Sequence, residues 1–118
     1  MNKLNINNIR IIGDPNLRIT RAAFLAGAPG SRPQMEALNS DDVDVLIGGE
    51  VPEWETYLNA KDAVALGMKK GVIFLGHTKS EEDGMAYCAE WLKSFTGGVP
   101  VVFIKNQPNF RVKKINKF

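Results

Sequence analysis

The chain has 118 residues, of which 44% are hydrophobic and 24% are charged, and its net charge is +2. This length and composition predict one globular domain with one core, and the balanced charge gives no reason to expect nucleic acid binding. No apolar run approaches the roughly 18 residues of a membrane span, and the first residues lack the apolar stretch of a signal peptide. Cys88 has no second cysteine to pair with, so we expect a buried thiol, no intrachain disulfide and a cytoplasmic location.

The first part of the chain predicts two strands and a short helix. We expect the asparagine-rich residues 1–8 to be loosely attached, like residues 107–118 at the other end. A strand is predicted over Ile9–Ile12, where the turn sequence Gly13-Asp14-Pro15-Asn16 ends it. A second, buried strand is predicted over Arg21–Ala26. Ser31 is expected to cap a short helix over Pro33–Leu38.

Two further strands flank a longer helix. The apolar runs Val43–Ile47 and Val72–Leu75 predict strands that are buried on both faces. Between them a helix is predicted from about Glu53 to Leu66, with Gly67 as the glycine that follows its last turn. One face of this helix is predicted to comprise Trp54, Tyr57, Leu58, Lys61 and Ala65.

The last part of the chain predicts a helix and a final strand. Ser80-Glu81-Glu82-Asp83 fits a capping box at a helix start, and the apolar spacing continues to about Phe95. A strand is then predicted over Val99–Ile104, with Pro100 at a position that an edge strand tolerates. The apolar face of the helix is expected to carry Met85, Cys88, Ala89, Leu92 and Phe95.

The order of these elements indicates the fold class. From residue 21 onward, strands and helices alternate, which is typical of parallel strands joined by right-handed crossovers. The earlier segments are separated by tight turns, and we expect them to add antiparallel strands. We therefore predict a single α/β domain over residues 1–118, with a mixed, largely parallel sheet and helices packed on it.

His77 is the chain's only histidine, and it lies between a predicted strand and Glu81. In sheets of this kind, ligand-binding residues lie at the edge where the parallel strands end. We expect Glu50 and Ser31 to lie at the same edge as His77. An imidazole and a carboxylate four residues apart form a partial site for zinc, manganese or iron. The alternative is structural: Glu81 interacts with the helix dipole and His77 is merely hydrogen-bonded. Spacing alone leaves both interpretations open.

Glu50 follows two glycines at another strand end. Its carboxylate is a candidate metal ligand, a partner that supports His77, or a general base. The alternative is a charge placed just before the helix that Pro52 starts. The glycines keep the functional interpretation open because they let other groups approach closely.

Other signals are weaker. The loop Gly27–Ser31 could hold an anion on backbone N–H groups, although it lacks the lysine of a P-loop. Ser80 and Cys88 form no persuasive nucleophile–base pair with His77. The basic residues near the end of the chain predict a solvated tail, with a contact to a phosphate backbone as the alternative. They are Arg111, Lys113, Lys114 and Lys117.

Three motifs resemble those of one known family. They are Gly13-Asp14-Pro15, Gly48-Gly49-Glu50-Val51-Pro52-Glu53 and Gly76-His77-Thr78-Lys79-Ser80-Glu81. The family is that of the NGG-interacting-factor-three-like dinuclear metal-centre proteins, also called YbgI-like proteins or GTP cyclohydrolase I type 2 homologues. The resemblance covers roughly residues 9–106 and concerns only the C-terminal half of the family's two-domain fold.

The resemblance implies roles for three residues. His77 and Glu81 match ligands of a pair of divalent metals. Glu50 matches a glutamate near the metals, which we expect to be the catalytic base or a support for the ligands. The family's other ligands belong to an N-terminal half, as a His-His or His-Glu pair and an aspartate, and this chain has no second histidine. We therefore expect the metal site to be incomplete in this chain.

The resemblance also implies an activity and partners. We expect a metal-dependent hydrolase that acts on a small nucleotide-like or heterocyclic substrate, with the metals activating water and polarising the electrophile. The missing ligands of the two-metal site are expected from a separate N-terminal half. Further copies of the chain, since the family tends to form hexamers, could add more His77 and Glu81 residues and would form a different site. A half without its partner would expose apolar surface and favour a homo-oligomer. The alternative is a non-catalytic scaffold or interaction module with a vestigial half-site.

Overall fold

The computed structural model describes residues 4, 6, 8–107 and 113. Within these residues, four strands form one sheet: β1 (Arg10–Ile12), β2 (Ala22–Leu25), β3 (Val45–Gly48) and β4 (Gly71–Phe74). Their order across the sheet is β1-β4-β3-β2, with β2, β3 and β4 parallel and β1 antiparallel to β4. The predicted mixed, largely parallel sheet is confirmed, as is the antiparallel strand at its start.

Two helices cover one face of the sheet: α1 (Ser31–Asn39) and α2 (Thr56–Ala65). Side chains from the strands and both helices form the buried core between these layers. Fully burying an aliphatic side chain stabilises a fold by roughly 1.5–3 kcal/mol, so these few residues supply much of the stability. The buried residues of this core are Leu38, Leu46, Val51, Ala60, Val72 and Phe74.

The opposite face of the sheet carries an apolar row. Strand pairing aligns Ile11, Ile73, Ile47 and Phe24 across all four strands. The central strands β3 and β4 are buried on both faces apart from half-buried Ile47 and Ile73, as predicted. The strand predicted over Arg21–Ala26 forms as β2, but its predicted burial is wrong, because β2 is an edge strand whose Phe24 is 56% exposed. We call these four residues the open row.

Helix α2 begins at Thr56, three residues later than predicted, because residues 53–55 form a turn. Its buried residues are Thr56, Ala60 and Ala63. The predicted face is therefore wrong apart from Tyr57, which packs against the core. Small side chains let α2 approach its neighbours closely, while Trp54 and Leu58 are exposed. Gly67 follows the helix with a positive φ of 80°, as predicted.

Helix α3 (His77–Leu92) begins at His77, so the predicted capping box at Ser80 is wrong. Gly76 precedes the helix with φ 89°. The predicted apolar face exists but is largely uncovered. Ala89 is buried and Cys88 is half-buried, whereas Met85 and Phe95 are 55% and 67% exposed.

The segment after α3 has no regular secondary structure over residues 99–107, so the predicted strand Val99–Ile104 is wrong. Apart from residues 4, 6, 8, 107 and 113, the segments expected to be loose lie outside the described residues. The same holds for the basic tail, of which only Lys113 is described. No helix in the described part of the chain is long and apolar enough to cross a bilayer.

Candidate metal centre

The structure brings the three predicted site residues together. Glu50 follows β3, His77 begins α3 just after β4, and Glu81 lies one turn further along α3. The His77 Nδ1 atom lies 3.1 Å from Glu50 Oε1, and the His77 Nε2 atom lies 3.1 Å from Glu81 Oε2. Each imidazole nitrogen therefore faces its own carboxylate. We call these three residues the carboxylate–imidazole triad.

Backbone hydrogen bonds between the strand exits place Glu50 beside His77. The Leu75 N–H donates to the Gly48 carbonyl at 2.9 Å, and the Gly76 N–H donates to the Gly49 carbonyl at 3.2 Å. The parallel pairing of β3 and β4 thus continues for two residues beyond the strands. Because both exits run side by side, their next side chains share one edge of the sheet.

Two glycines allow three chain segments to meet at this edge. A Cβ atom on Gly49 would lie 2.5 Å from the Gly27 carbonyl oxygen and 2.5 Å from Ser80 Oγ. A Cβ atom on Gly27 would lie 2.2 Å from Glu81 Oε1 and 3.4 Å from His77 Nε2. Gly27 also has a positive φ of 65°. The β2 exit therefore lies directly against the triad, and a side chain at either glycine would displace a neighbour.

Ser80 links the β2 exit to α3. Its hydroxyl accepts a hydrogen bond from the Gly27 N–H at 2.9 Å and donates one to the His77 carbonyl at 2.7 Å. The Gly27 N–H is thus already used, which removes one donor from the anion site considered for this loop. Ser31 does not cap α1, because it lies inside the helix and its hydroxyl donates to the Glu55 carboxylate.

A buried polar pair fixes the backbone of Glu50. The Gln34 side-chain amide donates to the Glu50 carbonyl at 2.6 Å, and the Thr56 hydroxyl donates to the Gln34 amide oxygen at 2.9 Å. Both side chains are fully buried. Neither residue is predicted from the sequence to be buried, since a glutamine and a threonine in amphipathic helices give no signal that they face inward.

An open cleft of about 340 Å³ adjoins the triad. Its far side is formed by Phe103, Ile104 and Asn106, from the segment that follows α3. Glu82 lies in the cleft wall with its side chain only 7% exposed, and it is paired with Lys79 and Lys105. The hydrogen bond from Lys79 is the main cause that lowers the pKa of Glu82 below its ordinary value.

Comparisons with known proteins place the chain in a family. The family model for Duf34/NIF3 (NGG1p interacting factor 3) matches residues 1–110. The chain belongs to this family. The family named from its motifs is thereby confirmed. A comparison with curated protein sequences found no match.

Solved structures of two bacterial proteins have the same fold. The Staphylococcus aureus hypothetical protein SA1388 is 22% identical to this NIF3-family chain, with a TM-score of 0.61, covering 92% of this chain and 35% of that one. A second crystal structure of the S. aureus protein gives a TM-score of 0.57 at the same identity, covering 93% and 34%. The Bacillus cereus protein related to NIF3 is 18% identical, with a TM-score of 0.61, covering 92% and 29%. The chain spans about a third of the length of these proteins.

The donor atoms of the NIF3-family triad suit part of a metal site. Imidazole and carboxylate are ligands of zinc, manganese and iron, and two atoms 3.1 Å apart can share one ion at roughly 2.0–2.2 Å from each. The carboxylate on the other nitrogen matches a common arrangement, in which a ligating histidine donates its second N–H to a carboxylate. Among the described residues, however, no three His, Cys, Asp or Glu side chains surround one ion position. The residues present therefore fit a partial coordination shell.

Proposed function

We propose that this NIF3-family chain contributes a divalent-metal half-site in which His77 and Glu81 are the ligands. The observation that supports it is the imidazole of His77, held at the sheet edge between two carboxylates at 3.1 Å each. The side chains of all three residues are between 42% and 61% exposed, so an ion can enter without unfolding the site. Zinc, manganese and iron are the ions that this donor set suits.

Glu50 has a separate part in this proposal. It faces Nδ1 of His77, whereas Glu81 faces Nε2. Accepting the Nδ1–H bond leaves the Nε2 lone pair free to bind an ion and keeps the ring in one orientation. The Gln34 amide holds the Glu50 backbone in place, so this orientation is fixed from the core. In a complete site the same carboxylate can take a proton from a substrate or a water molecule, which is the base role expected from the family.

The proposed activity is hydrolysis of a small nucleotide-like or heterocyclic substrate in the cytoplasm, once the site is complete. A bound divalent ion would supply the Lewis acid that polarises the substrate's electrophilic group. This chain's residues would hold that ion, orient the ligand ring and line the cleft where the substrate binds. Activity of this kind requires further ligands, because the described residues give only a partial shell.

A partner is therefore part of the proposal. The missing ligands would come from a separate N-terminal half or from other copies of the chain in a homo-oligomer. Two observations support a protein partner: the open row on the sheet, and the uncovered apolar face of α3. Large uncovered apolar surfaces of this kind mark protein interfaces.

The test is to measure the binding of Mn²⁺ and Zn²⁺ to the purified chain. Isothermal titration calorimetry measures both ions, and electron paramagnetic resonance also measures Mn²⁺. Replacing a residue that merely supports a ligand costs roughly 10–100-fold in metal affinity, so His77→Ala and Glu81→Gln should each cost at least about 100-fold. Glu50→Gln should cost about 10–100-fold. Glu90→Gln is the matched control, since Glu90 also lies on α3 but pairs with Lys93 away from the triad.

The proposal is wrong if neither ion binds, or if His77→Ala binds them as the unaltered chain does. That outcome would favour the second candidate function, a non-catalytic scaffold or interaction module. The scaffold needs no metal, and the uncovered apolar face of α3 is the observation that favours it. Sedimentation of the unaltered chain and of Phe95→Glu would then test it, since the scaffold requires association that the added charge abolishes.

A further inference from the structure

The segment after α3 has the side-chain pattern of a strand but no strand beside it. Val101 is half-buried and Phe103 is 37% exposed. Val102 and Ile104, which alternate with them, are 75% and 81% exposed. A period of two residues is the pattern of a β-strand. Within the described part of the chain, however, no backbone group of residues 100–106 forms a hydrogen bond. We call residues 100–106 the unpaired segment.

Little holds the unpaired segment in its present place. Gly97 and Gly98 precede it with positive φ angles of 57° and 93°, and a Cβ atom on either would meet nothing within 4 Å. The chain can therefore change direction there without a clash. Lys105 ties the segment to α3 through an ion pair with Glu82 at 3.3 Å. Because Glu82 is also paired with Lys79, releasing Lys105 leaves this carboxylate with a cation.

The free edge of β2 presents backbone groups that such a segment can use. Strand β2 lies at the end of the sheet and pairs with β3, and no described residue pairs with its other side. The carbonyl groups of Leu25 and Gly27 accept hydrogen bonds from the residues that follow β3. Backbone groups point to alternate sides along a strand. The N–H and C=O groups of Ala22 and Phe24 therefore face the free edge.

This edge lacks the features that usually prevent strand addition. Edge strands are commonly protected by charged side chains, by proline or by a bulge. Strand β2 contains no charged residue and no proline, and its register with β3 is uninterrupted over all four residues. At the other edge of the sheet, β1 has three residues and begins with the charged Arg10. The β2 edge is thus the better place for an added strand.

We propose that the unpaired segment of one copy adds as a strand to the free edge of β2 in a second copy. A second copy fits because every copy carries both parts of the contact, so that two copies can pair reciprocally and close the assembly. The added strand can also place Val102 and Ile104 beside Phe24, where all three bury apolar surface. The inference goes beyond the proposed function, since it needs no metal ion and uses neither the triad nor the apolar face of α3.

The first experiment adds a synthetic peptide of the unpaired segment to the dilute ¹⁵N-labelled chain in the presence of EDTA. Pairing at the edge should shift the backbone amides of Ala22 and Phe24. The amides of Ala23 and Leu25 should shift less, because their N–H groups face β3. A peptide N-methylated at two adjacent valines lacks an N–H on each side of the strand, and it should bind at least about tenfold more weakly.

The second experiment measures self-association of the unaltered chain by sedimentation. Phe24→Lys places a charge on the edge strand, so the dissociation constant for self-association should rise by at least about tenfold. Leu58→Lys is the matched control, because Leu58 is also partly exposed but lies on α2, and it should leave this constant unchanged.

The inference is overturned if the peptide leaves the β2 amides unshifted at millimolar concentration, or if the N-methylated peptide binds as tightly. It is also overturned if Phe24→Lys, shown to be folded by circular dichroism, associates as the unaltered chain does. A chain that stays monomeric at every concentration would likewise overturn it and would assign the segment to the sheet edge of another protein. Failure of the metal proposal gives a different result, because association in EDTA and association of His77→Ala would both persist.

Discussion

Gly49→Ala should destabilise the fold more than Gly27→Ala, although of these two glycines it is Gly27 that has a left-handed backbone conformation. The new Cβ at Gly49 would lie 2.5 Å and 2.7 Å from the carbonyl oxygen and the nitrogen of Gly27. These are backbone atoms that cannot rotate away, so the β2 and β3 exits must separate. The separation strains the hydrogen bonds from the Glu50 N–H to the Gly27 carbonyl and from the Gly27 N–H to Ser80.

The magnitude follows from these contacts. Overpacking a tight position costs about 1–3 kcal/mol. Two hydrogen bonds lost or weakened add about 0.5–1.5 kcal/mol each. Gly49→Ala should therefore cost about 2–6 kcal/mol, a large part of the roughly 5–15 kcal/mol by which domains are stable.

Gly27→Ala should act differently. Its backbone strain costs about 1–2 kcal/mol. Its Cβ would meet the end of the Glu81 side chain, which is 44% exposed and can swing into solvent. The fold should thus tolerate this change better, while Glu81 loses its place beside His77 and the proposed metal affinity falls.

The assay is urea unfolding followed by circular dichroism, with Gly84→Ala as the control. A Cβ on Gly84 meets nothing within 4 Å, and alanine in a helix is favoured over glycine by up to about 1 kcal/mol. The expected order of midpoints is Gly84→Ala highest, then the unaltered chain, Gly27→Ala and Gly49→Ala. A Gly49→Ala midpoint equal to that of the unaltered chain, or above that of Gly27→Ala, would refute the close backbone contact.

Two further predictions concern groups outside the triad. Thr56→Val should lower the free energy of unfolding by about 1–3 kcal/mol, because it leaves the buried amide oxygen of Gln34 without its hydrogen-bond donor. Thr56→Ser keeps the hydroxyl and should lose less stability. Urea unfolding of both variants measures the two losses, and equal losses would contradict the prediction. Hydrogen bonds, of which that from the Thr20 hydroxyl has the largest effect, lower the pKa of Asp44 to about 2. The Asp44 carboxylate therefore stabilises the fold above roughly pH 4, and this stabilisation is lost as the pH falls toward 2. The melting temperature of Asp44→Asn should accordingly lie below that of the unaltered chain at pH 7 and converge with it near pH 2. Asp41→Asn is the exposed control, and a gap that persists at pH 2 would argue against the role of Asp44.

The strands and the triad could be predicted because their signals are local. Uninterrupted apolar runs gave β3 and β4, and the glycines after each run marked where the strands end. Since parallel strands end at a common edge, Glu50 and His77 were expected to be neighbours, and they are. The chain order of strands and helices was enough for the class of fold.

The wrong predictions concern residues whose structure depends on contacts with residues distant in the sequence. Val99–Ile104 has the composition of a strand, but a strand needs a neighbour to pair with, and in this structure the segment forms no ladder. Ser80 has the pattern of a helix cap, yet its hydroxyl is bonded to Gly27, 53 residues away. Gln34 and Thr56 are polar residues at buried positions, which only the tertiary structure reveals.

The open row also affects how the stability of this chain must be measured. Ile11 and Phe24, at its two ends, are about half exposed. Association through this face would therefore bury apolar surface that remains exposed to solvent in the folded monomer. Binding that occurs only in the folded state raises the apparent stability by mass action. The melting temperature of the chain should therefore rise with protein concentration, and a single value has meaning only when that concentration is stated.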